Sequence, residues 1–194
     1  MKHTFAIAFF ILTFLFGCKT SPKSKTDLVS YVNPFIGTGG HGHTYPGATM
    51  PFGMVQLSPD TRLEGWDGCS GYHFTDTVVY GFSHTHLSGT GVSDYGDVLL
   101  MPSASRESVL KLNSNLKTVP EAFDKTKETA EPGYYSTYLS NENILVELTS
   151  TMHTGFHKYT FKKEGKQVLK IDLEHRDHII SAEFDSVSNF VIQG

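Results

Sequence analysis

The chain has 194 residues, a formal net charge of −4, and 16 Lys+Arg against 20 Asp+Glu. That balance lacks the concentrated basic face a nucleic-acid partner requires, so nucleic acid is excluded as a partner. Hydrophobic residues at 39% supply enough apolar material for a core, and the two cysteines, Cys18 and Cys69, rule out a disulfide framework.

Along the chain, a basic tip (Met1-Lys2-His3) leads into an almost unbroken apolar stretch over 5–16 and then Leu15-Phe16-Gly17-Cys18. Such a stretch is too short to span a bilayer comfortably and reads as a secretory signal. Apolar-x-small-Cys is the pattern at which bacterial lipoprotein precursors are cut, leaving the cysteine as an acylated N-terminus. The expectation is a lipoprotein signal peptide over 1–17, lipidation at Cys18, and a polar tether over 18–28. Multiple acyl chains would hold the protein on a lipid bilayer of the cell envelope, on a periplasmic or surface face of the outer membrane. One domain is expected over 29–194.

Residues 37–96 hold 13 of the 18 glycines and five of the ten histidines, interrupted by Pro46, Pro51 and Pro59. Long helix is impossible there. The stretch reads as short strands joined by tight glycine-dependent loops, the backbone that lines a site. Strands are expected over 78–84 and 97–102, and the only passable helical pattern covers 103–116.

From residue 134 the texture becomes β-branched and aromatic, with strands expected over 134–139, 144–150, 156–161 and 167–173. In the last of these Leu169, Ile171 and Leu173 share one face, and Lys170 and Asp172 the other. Residues 141–143 and 163–165 read as hairpin turns. The fold class that follows is all-β, an antiparallel β-sandwich. Phe190-Val191-Ile192-Gln193-Gly194 reads as a strand in progress, so a truncated sandwich is expected.

Two His-x-His pairs stand out, His41/His43 and His84/His86. On a strand, residues i and i+2 share a face, so each pair offers two imidazoles to one ion or one substrate. Zinc-dependent amidohydrolases introduce their first ligands this way. They do so on a parallel α/β barrel, however, and this chain has no alternating helices. The plainer role is that of hydrogen-bonding posts among glycine turns. Gly65-Trp66-Asp67-Gly68 carries the single tryptophan. Its flat ring suits either a pyranose C–H face, with Asp67 bonding hydroxyls, or a sandwich core. Cys69 reads as a small buried apolar residue. Asp60, Glu64, Asp67, Asp76, Asp94 and Asp97 are the carboxylates of this half, and spacing alone pairs none of them for glycoside hydrolysis.

Tyr31-Val32-Asn33-Pro34-Phe35-Ile36-Gly37-Thr38, Tyr45-Pro46-Gly47-Ala48 and Pro51-Phe52-Gly53-Met54-Val55-Gln56-Leu57-Ser58-Pro59-Asp60 resemble the opening of glycoside hydrolase family 92. Gly81-Phe82-Ser83-His84-Thr85-His86-Leu87-Ser88-Gly89-Thr90-Gly91, Glu131-Pro132-Gly133-Tyr134-Tyr135 and Gly155-Phe156-His157-Lys158-Tyr159 continue the likeness in order. One departure is Met152-His153, where the family pattern has a more basic pair.

The resemblance implies the N-terminal β-sandwich of a secreted, calcium-dependent, inverting exo-α-mannosidase that acts on α-mannoside glycans. It also implies a C-terminal (α/α)6 barrel as partner, which supplies the catalytic acid and base and most ligands of the calcium. No catalytic residue and no metal ligand is therefore assigned to this chain, which on its own is expected to be inactive. The substrate-binding residues it implies here are Trp66, Asp67, His84 and His86. A non-catalytic carbohydrate-binding or interdomain module, and a zinc hydrolase using the His-x-His pairs, are the alternatives.

Overall fold

The computed structural model describes residues 27–109, 119–188 and 191–193. The signal peptide and most of the tether, Cys18 included, lie outside these residues. Asp27 caps a 3-10 turn at Leu28–Tyr31, its carboxylate accepting the Val29 N–H at 3.2 Å.

Among the described residues, thirteen short strands follow: β1 (Ala48–Thr49), β2 (Gln56–Asp60), β3 (Val78–Val79), β4 (Gly81–Ser83), β5 (Leu99–Ser103), β6 (Glu121–Ala122), β7 (Thr129–Glu131), β8 (Tyr134–Leu139), β9 (Ile144–Ser150), β10 (Gly155–Phe161), β11 (Val168–Asp172), β12 (Asp185–Ser188) and β13 (Val191–Gln193). A five-stranded sheet runs β1-β2-β4-β5-β11 and a four-stranded sheet runs β10-β9-β8-β7, with two-stranded ribbons β3-β6 and β12-β13. Every pairing is antiparallel, which makes the domain an all-β sandwich.

Side-chain alternation explains which faces meet. In β9, Ile144, Val146 and Leu148 are buried, while Leu145, Glu147 and Thr149 lie on the other face. Across the ladder they face Leu139, Thr137 and Tyr135 of β8, in the register Ile144↔Leu139, Val146↔Thr137 and Leu148↔Tyr135. Leu57, Phe82, Leu99 and Met101 of the five-stranded sheet close the core from the opposite side. Each such side chain, fully buried, contributes about 1.5–3 kcal/mol through removal from water. Pro59 and Pro102 are tolerated inside strands because each lies past the residues paired by a neighbour, Gln56 and Leu57 under β1 and Leu100 beside β4.

The structure departs from the sequence expectations in three places. The strand expected over 78–84 breaks at Tyr80, whose N–H donates to the Asp60 carbonyl at 2.8 Å. Of the helix expected over 103–116, a four-residue turn, α1 (Arg106–Val109), is present among the described residues, and Ser103 belongs to β5. Residues 163–165 form no hairpin: the chain crosses there between sheets, because β10 pairs with β9 whereas β11 pairs with β5. In β11 the expected alternation is present, and the charged face is the one turned inward. Lys170 and Asp172 face inward, joined at 2.7 Å, while Leu169, Ile171 and Leu173 stay 44–47% exposed.

Candidate functional site

Three glycine-rich loops converge around Trp66, spanning 37–47, 61–76 and 85–97. Backbone bonds lace them together, Phe74 N–H to the Thr38 carbonyl (2.8 Å) and Gly89 N–H to the His43 carbonyl (2.6 Å), while Thr61 N–H to the Gly71 carbonyl (2.7 Å) closes the 61–76 loop on itself. Side chains add to this, with Ser70 donating to the Thr44 carbonyl at 3.0 Å and the Cys69 thiol to the Thr90 carbonyl at 2.8 Å. His73 is a buried post between the Gly40 carbonyl and Thr75.

Trp66 is 59% exposed, which removes it from the core. Its ring stands edge-on to His43, centroids 4.3 Å apart, with His41 at 5.9 Å. A Cβ on Gly91 would come within 2.5 Å of the indole nitrogen, so this glycine is the floor on which the ring rests. Next to it, Asp67 bonds His41 Nδ1 at 2.8 Å, and that hydrogen bond holds the Asp67 carboxyl below its ordinary range. The result is an exposed aromatic platform flanked by an ionised acceptor and two imidazoles, the chemistry of a sugar-hydroxyl contact.

The other two expected substrate contacts lie elsewhere. His86 is 5% exposed, with Nδ1–H donating to the Gln56 carbonyl at 2.7 Å and Nε2 lying 3.2 Å from Ser83 Oγ. It borders a buried cluster centred on Asp60, whose carboxylate accepts the Ser83 hydroxyl and lies 3.4 Å from His86, 3.5 Å from His175 and 3.4 Å from Arg176. Burial alone would raise the Asp60 carboxyl, but His86 and His175 outweigh it and hold it well below the usual value. Gly71, at φ +98°, roofs this cluster: a Cβ there would stand 2.7 Å from Asp60 Oδ1 and 2.9 Å from His86 Cδ2.

His84 meets His157 of β10, Nε2 to Nε2, at 3.2 Å. Hydrogen bonding fixes the tautomers. His84 Nδ1–H donates to the Val98 carbonyl (2.7 Å), so its Nε2 accepts from His157, whose Nδ1 accepts the Tyr159 hydroxyl (2.7 Å). Burial disfavours charge on both rings and pushes His157 down to about 3, with His84 adding to the effect. The pair is a neutral rivet between the two sheets.

The described residues include several carboxyls and one buried thiol with shifted proton affinity. Among them, the carboxyls whose proton affinity is clearly moved, Asp60, Asp67, Asp124 and Glu147, are all moved downward, away from what a general acid needs. Cys69 is buried, and burial pushes its thiol up, away from a nucleophilic thiolate. No three His, Cys, Asp or Glu side chains among the described residues gather as metal ligands.

His41, His43 and Arg62 were not among the expected contacts. Arg62 braces the Trp66 loop through a two-point bond to Asp76 (2.6 and 3.1 Å) and a contact with the Asp67 carbonyl at 3.4 Å. The His-x-His spacing marked the first pair, but its meeting with Trp66 depends on a loop contact across more than twenty residues.

Comparison with known proteins gives a consistent picture. The glycosyl hydrolase family 92 N-terminal domain model matches residues 31–194. An uncharacterized secreted glycosidase of Arthroderma benhamiae is 32% identical over 165 residues, 80% of this chain and 21% of its own. The family GH92 alpha-mannosidase BT3965 of Bacteroides thetaiotaomicron, also solved with mannoimidazole, shares 37% identity and a TM-score of 0.70 over 76% of this chain and 20% of that one. The inverting mannosidase BT2199 of the same organism shares 31% identity and a TM-score of 0.62 over 74% of this chain and 19% of that one. The chain thus spans about a fifth of the length of these relatives.

Proposed function

Because the chain belongs to glycoside hydrolase family 92, matching the N-terminal domain of that family, we propose that it shapes the substrate pocket of a secreted, inverting, calcium-dependent exo-α-mannosidase acting on mannose-containing glycans. The observation that carries this reading is Trp66, exposed on a braced loop beside an ionised Asp67 and two histidines. An aromatic ring left 59% in water stabilises no core, and stacking on a pyranose face gives it a use. The solved relatives are described as mannosidases, one of them as inverting and one in complex with mannoimidazole.

In this reading the acid and base of hydrolysis belong to the part of the relatives that this chain does not span. Calcium takes about six to eight oxygen ligands. The described residues do not fit such a cage, since among them no three acidic, histidine or cysteine side chains are arranged to hold a metal ion. The ion of the proposed enzyme would take its side-chain ligands outside this chain. Export to the envelope is supported by the Leu15-Phe16-Gly17-Cys18 pattern and by the fungal relative, which is described as secreted.

The test uses the 194-residue chain. Methyl α-mannoside should perturb the fluorescence of Trp66, the only tryptophan, without releasing mannose from an α-mannoside. An unperturbed emission spectrum at saturating sugar would remove the sugar-contact role. Hydrolysis at enzymatic rates by this chain alone would overturn the placement of acid and base elsewhere.

A further inference from the structure

Arg176, just after β11, is far from Trp66 in sequence, yet its side chain ends among the loops that carry it. The guanidinium is 7% exposed, and a buried charge of this kind is tolerated only when fully engaged. One nitrogen, Nη2, lies 3.4 Å from Asp60 Oδ1 and donates to the Arg62 carbonyl at 2.8 Å. The other, Nη1, donates to the hydroxyl of Ser93. The aliphatic stem runs against Gly96, at φ +90°, where a Cβ would stand 2.6 Å from Arg176 Cδ. The planar fork therefore binds two separate stretches of chain, 60–62 and the loop at Ser93, from one fixed point, which a lysine ammonium on a flexible stem cannot reproduce.

Both stretches form walls around the tryptophan. Arg62 precedes Trp66 by four residues and holds the Asp67 carbonyl with its own side chain. Ser93 follows Gly91, the floor beneath the indole, by two residues. Asp60, two residues before Arg62, is a fully buried carboxylate at the end of β2, so the fork is anchored in the core.

We infer that Arg176 is the positioning residue of the Trp66 site: it ties the 61–76 and 85–97 loops to the core and thereby fixes the pose in which the indole meets its ligand. That the ligand is a sugar rests on the reading proposed above. The clamp itself rests on the geometry of the fork alone.

The experiment reads the single tryptophan in the 194-residue chain. Time-resolved fluorescence anisotropy separates tumbling of the whole protein from nanosecond motion of the ring. Two variants are compared with the unaltered chain: Arg176→Lys, which keeps the charge beside Asp60, and Ser93→Ala, which removes one exposed hydroxyl and leaves the core intact. Both should add a fast depolarisation component and increase acrylamide quenching, with Ser93→Ala keeping its melting temperature. A Ser93→Ala protein whose anisotropy decay matches that of the unaltered chain overturns the clamp, even if Arg176→Lys fails to fold. Methyl α-mannoside titration of the unaltered chain separates the two readings. Absent binding combined with a loosened ring in the variants would sink the sugar role and leave the clamp standing.

Discussion

At the scale of single residues, Trp66 and His157 make opposite predictions. Trp66→Ala removes a ring that is mostly in solvent, so stability should shift by no more than about 0.5 kcal/mol. Affinity for methyl α-mannoside, followed by saturation-transfer NMR, should fall on the order of 1–3 kcal/mol, as for other stacked planar ligands. A large drop in melting temperature with unchanged affinity would return Trp66 to a packing role. His157 bears on stability and its pH dependence. Its folded pKa is pushed down to about 3, first by burial and then by His84, so the native ring stays neutral while the unfolded one takes a proton near the usual ~6.5. Stability from this group is present above about pH 6.5 and is lost as pH falls toward about 3, because the unfolded state binds the extra proton. Between about pH 7 and 5 the loss should reach up to about 2 kcal/mol. His157→Gln should flatten that slope in urea titrations run at both pH values, whereas parallel slopes would mean the ring titrates normally in the fold.

At the scale of elements, the glycine turns separate into two kinds. Gly71 and Gly89 both sit at positive φ, +98° and +77°, but only Gly71 has neighbours in the way, while nothing lies within 4 Å of a Cβ on Gly89. Gly89→Ala should cost about 1–2 kcal/mol of backbone strain. Gly71→Ala adds a collision with Asp60 and His86 and should cost on the order of 2–4 kcal/mol. Equal urea midpoints for the two variants would show that the Asp60 cluster does not depend on the close approach of Gly71. The long strands were legible in sequence because alternation is local: 134–139 and 144–150 coincide with β8 and β9. The strand β2 was hidden by Pro59 and by its setting among glycines, and the fate of 163–165 depended on partners, which no local turn signal specifies. The site was half legible for the same reason. Trp66 and Asp67 announced themselves by their flanking glycines, but the burial of His86 and the bracing arginines arise only from contacts distant in the chain.

For the molecule as a whole, the exposed apolar face of β11 matters most. Leu169, Ile171 and Leu173 lie open, and Ile180 and Phe184 beyond them are 100% and 69% exposed. Exposed apolar side chains of this kind favour association. The 194-residue chain should therefore sediment as more than a monomer, and Ile171→Lys should shift it toward monomer with its melting temperature unchanged. A variant that melts markedly lower would place Ile171 in a packed interior instead. At the other end, Cys18→Ala should leave an uncleaved precursor in a bacterial host, and the unaltered protein should follow the detergent phase on partition. A freely soluble, lipid-free mature chain would exclude the anchor. The clamp made by Arg176 also bears on the order of assembly. Its partners Asp60 and Arg62 lie 116 and 114 residues away in the chain, among the longest-range bonds in the domain. Closing so long a loop carries a large entropic cost and tends to come late. In refolding from urea, the β8–β9 hairpin should register by circular dichroism before the tryptophan signal reaches its final value. A nascent chain released before residue 176 would hold the platform in sequence but not yet in shape.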